Sequence, residues 1–134
     1  MKKFEVLEHK ADLKIRVFGK DKKELFLNAL LGMSDSMRAE SFLKTVKSQN
    51  IKVKSPDIFS LLVDFLSEIL YYSRVNRIIY DKIKFQKFTD TEIKAEVSGR
   101  QVKRIGLEIK GVTYHNLEIK KRNNHWEAII LFDI

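Results

Sequence analysis

The chain has 134 residues, a length that corresponds to one domain, and we assign residues 1–134 to it. Its 44% hydrophobic and 33% charged residues are typical of a globular protein and exclude a disordered chain. The absence of cysteine excludes a disulfide framework and a thiolate metal site, and no apolar run approaches the roughly 20 residues needed to cross a bilayer. The amino terminus has no signal-peptide pattern, so we expect a cytoplasmic protein with no membrane partner.

The net charge of +8 favours RNA, a nucleotide or an acidic protein as a partner. The alternative is a lysine-rich surface that reflects a biased amino-acid composition, with an excess of Lys, Ile, Asn and Phe. We slightly prefer this second explanation for the charge, because the basic residues are spread along the chain.

The predicted elements begin with two short strands, Phe4 to Glu8 and Leu13 to Phe18, joined by a turn at residues 9–12. Asp21 then precedes Glu24 by three residues, which resembles a capping box at the start of a helix. Apolar residues at helical spacing follow and predict a core-facing amphipathic helix.

A third strand is predicted from Leu43 to Lys54, and a second helix follows it directly. The sequence Ser55-Pro56-Asp57 is a helix start, in which Ser55 supplies the cap, Pro56 the first helical position and Asp57 the acid of the first turn. The apolar stripe that begins at Ile58 makes this helix the centre of the core.

From Ile78 onward the sequence is mostly β. One predicted hairpin joins Lys82–Phe88 to Glu92–Val97, and another joins His115–Lys121 to His125–Phe132. The conformation of residues 106–113 stays open. The expected fold is therefore α+β, with two layers: two main helices packed on a largely antiparallel (mixed) sheet.

The last strand carries apolar residues almost to the final position and ends on Asp133 and Ile134. We expect this end to be packed, which would hold the Asp133 side chain and the α-carboxylate of Ile134 still. Two fixed carboxylates repel each other, and a hard cation or a buried lysine is the usual neutralising partner. A further acid, Asp12, is predicted in the loop between the first two strands, where a ligand can reach it.

No familiar catalytic pattern accompanies these acids. The glycines are isolated, the three histidines have no metal-binding spacing, and no nucleophile elbow is present. Lys110 lies in a segment that also contains a glycine, a hydroxyl, a phenol and an imidazole. Taken singly, Lys110 is a solvated lysine and Asp12 a turn residue. The residues alone therefore indicate one α+β domain with a carboxylate site.

Four segments, taken together, resemble the archease family. They are His9-Lys-Ala-Asp12, Phe65-Leu-Ser-Glu-Ile-Leu70, Glu108-Ile-Lys-Gly-Val-Thr-Tyr-His115 and the terminal Trp126-Glu-Ala-Ile-Ile-Leu-Phe-Asp-Ile134. They correspond to the family's HTAD-like, FLDELL-like and EVKAVTYH-like segments and to its terminal W-x-A-x-x-x-x-D-[IV], in the same order. Three positions depart from the pattern: Lys10 replaces a Thr, Ser67 an Asp and Leu107 a Thr.

The resemblance implies an accessory protein without turnover of its own. Archeases assist an RtcB-type RNA-splicing ligase in tRNA splicing by promoting its guanylylation by GTP and its multiple turnover. Some are described as chaperone-like modulators of a tRNA methyltransferase. Carried over by position, the resemblance implies a divalent cation held by Asp12, Asp133 and the terminal carboxylate of Ile134. Ligands that are all oxygen atoms suit Ca²⁺, Mg²⁺ or Mn²⁺. Lys110 is the residue expected to act on the partner, and Lys10 is a cation that could compete with the metal.

Two other classes compete with this interpretation. A stand-alone RNA-binding module would use the positive charge and the aromatic side chains, with tRNA as one candidate ligand, although most of the aromatics fall on core positions. The aromatics in question are Tyr71, Tyr72, Tyr80, Phe85 and Phe88. The second class is a metal-dependent phosphohydrolase, and the lack of an acid-rich motif argues against it.

Overall fold

The computed structural model describes residues 1–7 and 12–134. Within them the chain forms seven strands and two helices. In chain order these are β1 (Phe4–Leu7), β2 (Asp12–Gly19), α1 (Lys22–Ser36), β3 (Ala39–Lys54), α2 (Ile58–Asn76), β4 (Ile78–Phe88), β5 (Glu92–Ile105), β6 (Gly111–Lys121) and β7 (Trp126–Asp133).

The strands are divided between two antiparallel sheets, sheet A in the order β1-β2-β7-β6 and sheet B in the order β3-β5-β4. The predicted α+β class is confirmed, and so are both hairpins, β4–β5 and β6–β7. The sequence predicted a single sheet, and the structure differs because β3 pairs with β5 and not with the strands of sheet A. Strands β1 and β6 are the edges of sheet A.

The two helices connect the sheets through one hydrophobic core. Helix α1 contacts β1, β2 and β7 of sheet A and β4 of sheet B, whereas α2 contacts β6 of sheet A and all of sheet B. The middle of the apolar stripe of α2 is fully buried, as Leu61, Phe65 and Ile69 illustrate, whereas Ile58 at its start is half-buried. Burial of each such side chain contributes about 2 kcal/mol, so α2, like α1, stabilises the contact between the two sheets.

The two helix starts test the predicted caps. Asp21 caps α1 as predicted: its carboxylate accepts the Glu24 backbone N–H at 2.8 Å. For α2 the predicted cap, Ser55, is wrong. Asp57 is the cap and accepts the Ser60 N–H at 2.8 Å, while the Ser55 hydroxyl donates to Asp64 at 2.6 Å. Both residues can cap a helix, and the carboxylate of Asp64 within reach of Ser55 decides between them.

In the described part of the chain, no helix is long and apolar enough to cross a lipid bilayer.

Candidate carboxylate site

Strand pairing in sheet A places the two predicted acids opposite each other. Asp12 is the first residue of β2 and pairs with Asp133, the last residue of β7. Asp12 therefore lies at a strand end and not in the loop predicted for it. Residues that are directly opposite in an antiparallel pair point to the same face of the sheet, about 5 Å apart at Cβ. The two carboxylates thus share one face and one end of sheet A.

The alternation along β2 identifies that face. Leu13, Ile15 and Val17 are buried against the helices, so Asp12 lies on the outer face, which is open to solvent. The next residue in this row is Gly111, which pairs with Asp133 from the other side. A Cβ atom added to Gly111 would meet nothing within 4 Å. The position next to Asp133 in this row is therefore open, and a ligand could sit there.

The sequence predicted that the chain is packed to its last residue, but in the structure the packing ends earlier. Phe132 is completely buried, but Asp133 is exposed and the Ile134 side chain is 39% exposed. The core therefore ends at Phe132, one residue before the acid. What holds Asp133 in place is its backbone, whose carbonyl accepts the Lys110 N–H at 2.7 Å.

That hydrogen bond places the third predicted residue at the same end of the sheet. Lys110 immediately precedes β6, and its side chain is exposed. Among residues 1–7 and 12–134 it forms no ion pair, so its ammonium group does not neutralise either carboxylate. Its backbone carbonyl faces the guanidinium of Arg74 on α2 at 3.4 Å. The structure therefore brings Asp12, Asp133 and Lys110 to one end of sheet A.

The arrangement is chemically suited to a hard cation. Like charges directly opposite in a sheet repel, and a cation between them removes that cost. In the described residues no three side chains of His, Cys, Asp or Glu come together as a metal cluster. Two aspartates would therefore need further oxygen ligands, of which water is one source. His9, Lys10 and Ala11 lie outside the described residues.

Gly111 is the part of this site that sequence reasoning missed. In the sequence it is one residue of the mixed segment around Lys110, whereas in the structure it pairs with Asp133, which in turn pairs with Asp12. Because the sequence left the conformation of residues 106–113 open, it contained no strand pattern that could have identified this glycine.

Most of the aromatic side chains proposed for RNA stacking are packed in or against the hydrophobic core. Tyr80 is 1% exposed, and Tyr72, Phe85 and Phe88 pack against the core, which leaves Tyr71 at 59% exposure. The five aromatic side chains proposed from the sequence therefore supply one exposed ring, which is not enough to stack successive bases.

Comparison with known proteins identifies the family. The family model described as the archease protein family matches residues 4–134. The chain belongs to the archease family. It is 38% identical to an archease of Methanosarcina acetivorans, over 99% of this chain and 97% of the relative. It is 34% identical to an archease of Thermoplasma acidophilum, over 98% of this chain and 93% of the relative.

Solved structures have the same fold. The solution structure of Methanobacterium thermoautotrophicum protein 1598 superposes with a TM-score of 0.73, at 27% identity and over 100% of both chains. The crystal structure of a Thermotoga maritima protein, described as an archease and possible chaperone, gives a TM-score of 0.68 at 18% identity, over 96% of this chain and 94% of that chain. The resemblance stated from the four sequence segments is thus confirmed at the level of the family.

Proposed function

We propose that this archease is a metal-binding accessory protein that activates an RtcB-type RNA-splicing ligase by promoting its guanylylation by GTP. The observation that carries the proposal is the pairing of Asp12 with Asp133 beside the open position of Gly111. Two carboxylates and the Ile134 terminus would hold Ca²⁺, Mg²⁺ or Mn²⁺ through few protein ligands. A partly open coordination shell is what a factor needs if it positions a metal in the active site of another protein.

In this proposal Lys110 acts on the partner and not on the metal. Its side chain is exposed and has no carboxylate partner in the described residues, so it can approach a phosphate of GTP or an acidic group of the ligase. Its backbone hydrogen bond to Asp133 holds its main chain beside the proposed metal site, and the flexible side chain extends from there.

The test is a guanylylation assay of an RtcB-type ligase with GTP and Mn²⁺, with the archease present in substoichiometric amounts. Wild-type protein should restore many rounds of reaction, and Asp133→Asn should not. Lys110→Ala should also lose stimulation while it keeps metal-dependent stability. The matched control is Lys120→Ala, an exposed lysine near the opposite end of β6.

Three results would count against the proposal. If Asp133→Asn stimulated the ligase as strongly as the wild type, the carboxylate pair would not be required for the activity. Equal losses in Lys110→Ala and Lys120→Ala would indicate an effect of charge alone. Hydrolysis of GTP or RNA by the purified protein, abolished in Asp12→Ala, would make it an enzyme.

A further inference from the structure

A second site, distinct from the carboxylates, lies where the end of α2 meets the segment between β5 and β6. It is a cavity of about 400 Å³, a volume within the range of small-molecule sites. Three arginines line it: Arg74 and Arg77 from the end of α2 and Arg104 from β5. Glu108 is the acidic residue among its lining residues.

The floor of this cavity is apolar and rigidly held. Ile105 and Leu107 are half-buried and supply its apolar surface. Both pack against the core, to which the other apolar lining residues, Met37, Leu70 and Ile109, belong. The Leu107 N–H donates to the Met37 carbonyl at 2.9 Å, which ties the floor to the end of α1. A concave apolar surface with cations around it suits a ligand that has one flat apolar part and one anionic part.

Arg77 lies at the cavity in a backbone conformation that is unfavourable for a residue other than glycine. It ends α2 in the left-handed conformation, with φ of 55°, a position that glycine usually occupies. Its guanidinium donates to the Lys103 carbonyl at 2.8 Å, and in the described chain it pairs with no carboxylate. Most of its five N–H donors are therefore available to a ligand.

The ordinary role of such arginines accounts for only part of the cluster. Arg74 is 3.6 Å from Glu108, Arg104 pairs with Glu40, and cations near the end of a helix offset its dipole. Three guanidinium groups face two carboxylates, so one positive charge remains at the cavity. Both ion pairs are exposed, and exposed pairs are weak enough for an anion to replace them.

We propose that this cavity binds a nucleoside phosphate, with the phosphate on Arg74, Arg77 and Arg104 and the base against the apolar floor. The planar fork of arginine matches the geometry of phosphate oxygens, and an apolar floor favours a base over a bare anion. A neighbouring cavity shares Leu70 and Arg74 and extends to Lys110, so a chain of phosphates could continue in that direction. A free nucleotide and the terminal nucleotide of an RNA strand present the same chemistry to this site.

The experiment is a titration of the isotope-labelled protein followed by backbone amide NMR shifts. The probes are ATP, AMP, inorganic pyrophosphate and a short oligoribonucleotide with a 5′-phosphate. Arg77→Gly removes the guanidinium and also relieves the left-handed conformation, so the fold should be preserved. The matched control is Arg122→Gln, which removes one exposed arginine at the β6–β7 turn.

The proposal predicts saturable shifts at residues 70–77 and 104–109, with ATP or the oligoribonucleotide bound more tightly than pyrophosphate. Arg77→Gly should weaken this binding about tenfold, as expected for a lost charge-assisted hydrogen bond, and Arg122→Gln should not. Binding of ATP and AMP identifies a free nucleotide as the ligand, whereas binding of the oligoribonucleotide alone identifies an RNA end. The absence of saturable shifts, equal binding of pyrophosphate, or equal effects of the two variants would overturn the proposal.

Discussion

At the scale of single residues, the pairing of Asp12 with Asp133 makes a prediction about the metal-free protein. Asp133→Asn removes the repulsion between the two carboxylates and leaves the other interactions of Asp12 in place, so in the presence of a chelator the variant should be at least as stable as the wild type. With saturating divalent metal the order should reverse, because only the wild type gains binding energy. Thermal unfolding in both conditions measures this crossover.

The control for this crossover is Asp81→Asn, which removes an exposed aspartate from β4 in sheet B. It should show the same small change with and without metal. A destabilised Asp133→Asn protein in chelator would mean that the Asp133 carboxylate already has a favourable partner.

At the scale of elements, two strand glycines should differ in how much stability is lost when each is replaced by alanine. A Cβ atom at Gly99 in β5 would lie 1.9 Å from the Ile79 carbonyl oxygen, and both belong to the backbone of sheet B. Gly99→Ala should therefore lower the free energy of unfolding by at least about 2 kcal/mol. The methyl group of Gly111→Ala would enter open space, so this variant should have nearly the same free energy of unfolding as the wild type. Denaturant unfolding of both variants tests this, and comparable losses would contradict the described packing.

The β4–β5 hairpin should contribute to the pH dependence of stability. The hydrogen bond and charge of Lys87 hold the pKa of Glu92 below its usual value. A carboxyl with a lowered folded-state pKa stabilises the protein above its unfolded pKa, near 4.5, and this contribution is lost as the pH falls through the folded value.

Glu92→Gln should therefore flatten the loss of stability as the pH falls below about 4.5, measured by unfolding at several pH values. Glu5 has a lowered pKa for the same reason, through Arg16 on β2, so part of the acid dependence should remain. An unchanged profile in Glu92→Gln would show that the Lys87 pair does not form in solution.

The elements also show how far the sequence alone could reach. The hairpins and the cap at Asp21 depend on neighbouring residues, and they were predicted. The choice between Ser55 and Asp57 as the cap of α2 depends on Asp64, whose position is set only by the folded helix. Local patterns contain no information about such contacts.

The division into two sheets and the register of Asp12 with Asp133 are likewise non-local. An alternating pattern fixes which face of a strand is buried but not which strand lies beside it. The acids were therefore found through the family resemblance and the unusual chain end, whereas the open space at Gly111 and the arginine cavity required the fold.

At the scale of the whole molecule, the net charge of +8 predicts that association with a partner depends on salt. Charge complementarity raises association rates and is screened beyond about 10 Å at 0.1 M salt. Stimulation of the ligase should fall as monovalent salt rises, in an assay that holds divalent metal constant. Stimulation that does not change with salt would assign docking to apolar contacts.

The most direct test of the central claim is calorimetric titration of the metal-free protein with Mn²⁺ and Ca²⁺. One ion should bind per wild-type chain, and the Asp12→Asn, Asp133→Asn double variant should bind none, while Lys110→Ala binds as the wild type does. At a hundredfold excess over the dissociation constant the bound ion should stabilise the fold by about 2.7 kcal/mol. Binding of one ion to the double variant with unchanged affinity would contradict the account, because the metal site would then lie elsewhere.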